Sequence, residues 1–178
     1  MTTPCCCAAA PMAPTTPAAE PPHAGLGLLA DLRGTWSGEG TATYPTMEPT
    51  AYSETVDFVA APGKPFLAYT QRTTVTSGGS ILHTEAGYLR AISPSEVELV
   101  VAQPTGVTET LAGPLVATAN GAKAELRSLG VGLTPSAKEV LATTRTLWWD
   151  EDELGYEVAM AAVGHPLTHH LSARLTRS

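Results

Sequence analysis

Beyond its seventh residue the chain has no cysteine. All three, Cys5, Cys6 and Cys7, are adjacent; neighbouring cysteines with no distant partner cannot staple a fold, so a disulfide framework within one chain is excluded. Basic residues are scarce too. Ten Lys and Arg stand against seventeen Asp and Glu, a formal net charge of −7. No basic stripe is present, which argues against nucleic acid and against an anionic membrane as partners. No apolar run approaches the ~20 residues that span a bilayer, and the N-terminus lacks a signal peptide's charged start and apolar centre. The expectation is a cytoplasmic protein. GxSxG, a P-loop and a dinucleotide fingerprint are also missing, and no pair of carboxylates can be placed from the sequence. Catalysis by side-chain acids, bases or nucleophiles therefore has little support.

What is present is a chain of 178 residues, 43% hydrophobic and 15% charged, enough for one domain with a single core. Residues 1–25 are built from Ala, Pro and Thr and read as a disordered tail. The folded domain is expected over 26–178. Leu26, Leu28, Leu29 and Leu32 form a short apolar stripe that suits one or two helical turns, with Gly34 as the stop. After that the period is two. Tyr52, Val56 and Phe58 alternate with polar neighbours. Val97, Leu99 and Val101 make a second apolar face, Leu154, Tyr156, Val158 and Met160 a third, and Leu167, His169, Leu171, Ala173 and Leu175 a fourth. Breaks are expected at Pro62-Gly63, Ser77-Gly78-Gly79, Ser93-Pro94, Gly113-Pro114, Asn120-Gly121 and Asp150-Glu151-Asp152, with Asn120-Gly121 as a two-residue hairpin. About ten short strands with no long helix between them indicate an all-β sandwich or an up-and-down barrel, the latter with room for a ligand.

Two features invite a functional reading. In Gly34-Thr35-Trp36-Ser37-Gly38-Glu39-Gly40 the glycines recur at every second position, so on a strand they share one face with Trp36. Such a face admits a sharp bend or a close neighbour, and the tryptophan can plug one end of a barrel. The second feature is the histidines: His83, and the group His165, His169 and His170; His23 lies in the tail. As strand neighbours, His169 and His170 point to opposite faces and cannot share a small metal ion without a bulge. Zinc lacks Cys or carboxylate partners at a suitable spacing. One inward histidine bound axially to a haem needs no cluster. Periodicity alone sends His169 inward and His170 outward.

Several segments match one family in order. Gly34-Thr35-Trp36-Ser37-Gly38-Glu39-Gly40 followed by Tyr44-Pro45-Thr46, Ala68-Tyr69-Thr70-Gln71, His83 to Arg90, Ala102 to Gly106 and Pro166 to Ala173 together resemble the nitrobindins. The likeness runs from about Leu26 to Arg177. It implies a ten-stranded antiparallel up-and-down β-barrel with a short N-terminal helix. It also implies haem b held as Fe(III), one per chain, with nitric oxide binding and isomerisation of peroxynitrite to nitrate. Carried over by residue, the resemblance makes His170 the axial ligand and Thr46 a haem contact. Lys138 falls near the haem and His83 on the distal side without ligating iron. Here it sets His170 against the inward His169 of the periodicity. A homodimer is compatible with it. Two other readings stay open: a haem or nitric oxide sensor without turnover, and a barrel carrying an apolar ligand without haem. The Ala/Pro-rich tail and the triple cysteine depart from the family pattern.

The tail composition cannot bury enough apolar area to offset the cost of ordering it. Deleting residues 1–24 is therefore expected to leave the melting temperature unchanged in a thermal scan; a drop of several degrees would count against a dispensable tail.

Overall fold

In the computed structural model, residues 23–178 are described; Cys5, Cys6 and Cys7 and the expected tail lie outside them, except for residues 23–25, which are not tail but cap and open the first helix. A 3₁₀ helix, Ala24–Leu32, precedes ten strands: β1 (Gly34–Tyr44), β2 (Met47–Ala60), β3 (Phe66–Val75), β4 (Ile81–Ser93), β5 (Glu96–Ala102), β6 (Val107–Ala117), β7 (Ala122–Leu133), β8 (Val140–Trp149), β9 (Glu153–Ala162) and β10 (Thr168–Arg177). Each strand pairs antiparallel with its sequence neighbours. β1 closes the barrel on β10, from Trp36 opposite Arg177 to Ala42 opposite Leu171. Closure leaves no free edge on which another chain could pair. No helix among the described residues is long and apolar enough to cross a membrane.

The two ends of the barrel differ. The helix sits at the end where β1 begins. Its Leu26, Leu29 and Leu32 are fully buried, as is Trp36. The Trp36 indole N–H donates to the Leu32 carbonyl at 2.8 Å, and the Arg177 guanidinium lies 4.1 Å over its ring. Arg177 then donates to the carbonyls of Arg33, Asp31 and Glu151, so the last strand clasps the helix onto the barrel. His23 caps this helix through Nδ1, which accepts the Gly25 N–H at 3.0 Å. The glycine face works as its spacing suggests. A Cβ at Gly38 would lie 2.2 Å from the Arg174 carbonyl oxygen, and one at Gly40 would lie 2.4 Å from the Tyr52 ring. Backbone occupies the first space and a tyrosine the second.

Most expected faces are buried, and three expectations need correction. Gly113-Pro114 is not a break, because β6 runs through it. Without a Cβ, Gly113 lets the strand approach the Glu125 carbonyl, which a side chain would meet at 1.9 Å. Asn120-Gly121 is not a two-residue turn. Ala117 pairs with Ala122, and the Thr118 N–H donates to the Gly121 carbonyl at 2.8 Å across a four-residue loop. In β10, Leu171, Ala173 and Leu175 are buried, but Leu167 and His169 are exposed. The cause is a β-bulge: His169 stands opposite Ala159 and Leu171 opposite Val158, so His170 is the extra residue.

Trp36→Ala is expected to destabilise the barrel by ~3–5 kcal/mol, since it removes a fully buried aromatic from the plug. Denaturant unfolding measures it; a variant as stable as the parent would show that the helix and Arg177 close this end unaided.

Candidate functional site

In an up-and-down barrel alternate hairpins share an end, so the loops after β1, β3, β5, β7 and β9 surround the mouth opposite the helix. Four site residues expected from the sequence lie there. Thr46 is exposed in the β1–β2 turn, and Lys138 is exposed in the loop before β8. His83 is half-buried near the start of β4, and His170 half-buried near the start of β10. The fold thus brings together residues up to 124 positions apart (46 to 170).

The bulge turns His170 away from the outer wall that His169 faces. His170 Nδ1 lies 3.0 Å from the Thr43 carbonyl oxygen. A carbonyl can only accept, so Nδ1 carries the proton and Nε2 holds a free lone pair. Among the described residues, no hydrogen bond is made to Nε2. Burial holds this imidazole below the usual histidine range, with small contributions from His83 and His169, while the Thr43 bond works the other way. Tyr44 braces the ring edge-on, with centroids 5.4 Å apart, and does the same for His165 at 5.7 Å. Its hydroxyl donates toward the Ala162 and Met160 carbonyls at 3.1 and 3.2 Å and accepts the Ala162 N–H at 3.0 Å. The turn carrying His165 contains Val163 at φ 46° and Gly164 at φ 81°. A β-branched residue rarely adopts the left-handed region, so this turn is strained. Tyr44, Val107, Val140 and Ala162 form a small apolar cluster at the mouth, with Met47, Val131 and Met160 packed against it.

Beneath the mouth lies a polar layer that sequence reading missed. Glu54, Gln71, Glu85, Glu109, Thr143 and Arg145 are all buried. Arg145 Nη1 donates to Glu85 Oε1, and Nη2 donates to Glu85 Oε2 at 2.9 Å and Glu109 Oε1 at 2.8 Å. Tyr69 donates to Glu85 and Tyr156 to Glu54, both at 2.7 Å. The signal was available: Glu54 shares the inward period of Tyr52, Val56 and Phe58, and Glu109 that of Val107 and Leu111. Below the layer the interior is packed, leaving a cavity of only about 20 Å³ lined by residues such as Val56, Leu99, Arg145 and Tyr156. That is the space of roughly one water molecule, far less than the expected interior room for a ligand.

A model of the THAP4-like, heme-binding beta-barrel domain matches residues 25–177. The chain belongs to this family. This haem-binding barrel is 48% identical over 155 residues to Peroxynitrite isomerase 2 of Mycobacterium marinum, spanning 87% of this chain and 96% of the relative. It is 46% identical over 155 residues to Peroxynitrite isomerase 1 of Mycobacterium tuberculosis, spanning 85% and 94%. The crystal structure of Rv2717c from M. tuberculosis matches it with a TM-score of 0.84 and 44% identity, covering 88% of this chain and 99% of that one. The nitrobindin resemblance and the ten-stranded barrel it implied both hold.

The residues of the haem-binding barrel fit its group. One neutral imidazole offers a bare Nε2, and the apolar cluster beside it suits a porphyrin face. Among the described residues no three His, Cys, Asp or Glu side chains assemble as metal ligands; the fit rests on the bare Nε2 of His170.

The polar layer also has a pH signature. Burial pushes the Glu54 carboxyl up to about 7, against the hydrogen bonds it accepts from Tyr156 and Gln71. The folded state therefore binds this proton more tightly than the unfolded chain. The resulting stabilisation is complete below the ordinary glutamate range and is lost as pH rises through about 7. At roughly 1.4 kcal/mol per pH unit of displacement, the loss approaches ~3 kcal/mol. Glu54→Gln mimics the neutral acid. Urea unfolding at pH 5 and pH 8 is expected to show the variant gaining on wild type at the higher pH; parallel pH dependences would contradict this.

Proposed function

We propose that the barrel holds one haem b per chain as Fe(III) through His170 Nε2, binds nitric oxide there, and isomerises peroxynitrite to nitrate. The observation that carries this reading is the hydrogen bond from His170 Nδ1 to the Thr43 carbonyl. A metal-binding histidine needs its second nitrogen anchored so that the first is deprotonated and aimed. The bulge at His170, the depressed proton affinity and the Tyr44 brace all favour the same state. Curated relatives at 46–48% identity that carry the name peroxynitrite isomerase support the activity.

Ferric haem held by His170 would supply a Lewis acid for the isomerisation of peroxynitrite to nitrate, a reaction that neither gains nor loses atoms. The chain's own part is positional. His170 stays neutral and oriented. The apolar cluster of Tyr44, Val107, Val140 and Ala162 keeps water from that side. Thr46 and Lys138 are the rim residues assigned to contact the haem, and His83 is assigned to the distal side without ligating. The same reading places the protein in the cytoplasm and allows a homodimer, for which the exposed Ile81, Val163 and Leu167 near the mouth offer an apolar surface. An apolar-ligand carrier has less support. Ligand sites of that kind occupy roughly 300–1,000 Å³, and Arg145, the buried cation that could hold a carboxylate, is already committed to Glu85 and Glu109.

Haemin titration of wild type, His170→Ala and His169→Ala, with circular dichroism as a check on folding, tests the ligand. His170→Ala is expected to lose stable haem binding while remaining folded, because no strand ladder bond involves its imidazole. His169→Ala is expected to bind haemin like wild type, since its side chain is on the outer wall. The reverse result would reject the assignment. Rapid mixing of the ferric protein with peroxynitrite is expected to accelerate nitrate formation; haem binding without acceleration would favour the sensor reading.

A further inference from the structure

His83 is held unusually well for a residue at a barrel mouth. Its N–H donates to Thr73 Oγ1 at 2.8 Å, and that buried hydroxyl lies 3.2 Å from the His83 carbonyl, to which it donates. This happens at a second bulge, where the β3–β4 ladder passes from Thr73–His83 to Thr74–Ile81 and leaves Leu82 as the extra residue. Bulges beside functional sites re-aim side chains. The ring is tied as well: Nε2 lies 3.1 Å from Glu85 Oε2.

Glu85 itself has no freedom to move. It is 1% exposed. Tyr69 and Arg145 Nη1 donate to its Oε1, Arg145 Nη2 donates to Oε2 at 2.9 Å, and the Gln103 side-chain amide reaches Oε2 at 3.5 Å. Burial opposes its ionisation most strongly. The Arg145 charge and the hydrogen bonds from His83 and Arg145 together outweigh that and hold the carboxyl well below the usual range. An ionised carboxylate only accepts, so the ring proton of a neutral His83 sits on Nε2 and Nδ1 is bare. Packing alone does not call for this arrangement. Replacing a buried ionic set such as Glu85, Glu109 and Arg145 by apolar residues of similar volume is often neutral or stabilising.

We propose that Glu85, clamped by Arg145, is a positioning residue: it locks His83 in the Nε2–H tautomer, so that a small ligand entering the mouth meets Nδ1 as a hydrogen-bond acceptor. A bare nitrogen favours a partner bearing O–H, so the form of the substrate it selects is peroxynitrous acid rather than the anion. This rests on the function proposed above. The first test needs no haem. Ring-nitrogen NMR shifts of the histidine-labelled apoprotein are expected to show one His83 tautomer, Nε2–H. In Glu85→Gln, whose amide can either donate or accept, a mixture of tautomers is expected, with haemin uptake unchanged. The peroxynitrite isomerisation rate of the loaded variant is expected to fall roughly tenfold, the worth of about one hydrogen bond. The fall should match that of His83→Ala, with no further loss in the double variant. An Nδ1–H tautomer in the wild type overturns the proposal even if Glu85→Gln fails to fold. A folded Glu85→Gln protein with the wild-type tautomer and rate also overturns it. A wild type with the Nε2–H tautomer that takes up no haemin supports the positioning role and overturns the function it was built on.

Discussion

Arg145, on β8, donates to Glu85 on β4 and Glu109 on β6, strands that are not its neighbours in the barrel. These bonds run through the interior and so fix the spacing of non-adjacent strands, which ladder hydrogen bonds between neighbours leave free. All three groups are buried, and removing one partner of such a set costs about 3–5 kcal/mol because the remainder keep an uncompensated charge. The layer also divides the barrel. On one side the interior is closed by the helix leucines and Trp36. On the other are the half-buried His83, His165 and His170 and a small apolar cluster. The middle of the barrel is thus filled and polar.

His83 and His170 reach that mouth by the same local device. Each stands at a bulge, His170 on β10 and His83 on β4. In each case one ring nitrogen is bound to an acceptor belonging to the protein: a backbone carbonyl for His170, a carboxylate for His83. The choice of acceptor decides which nitrogen is bare. His170 keeps Nε2, the nitrogen at the far end of the ring. His83 keeps Nδ1.

The segments that carry the family resemblance gain a physical explanation from this layer. Tyr69 and Gln71, His83 and Glu85, and Gln103 come from three separate matched stretches. In the folded chain they are successive members of one hydrogen-bonded network that also includes Glu54, Tyr156 and Arg145. The glycines and tryptophan of the first stretch serve the other end, where they allow close approach and plug the barrel.

The sequence by itself determined the strands, most of their inward faces and the helical plug, because period-two patterning and turn residues are local properties of the chain, and its motif segments carried the family resemblance. It also held His170, the histidine proposed to bind the haem. It could not decide which way that histidine points. Strict alternation sends His169 inward, and the answer reverses only because Leu171 pairs with Val158 one step out of register, which depends on a partner strand. Nor could it pair Glu85 and Glu109 with Arg145, residues 60 and 36 positions apart. Charge pairs of that separation become neighbours only when the barrel closes, and a buried carboxylate is written in sequence like any exposed one.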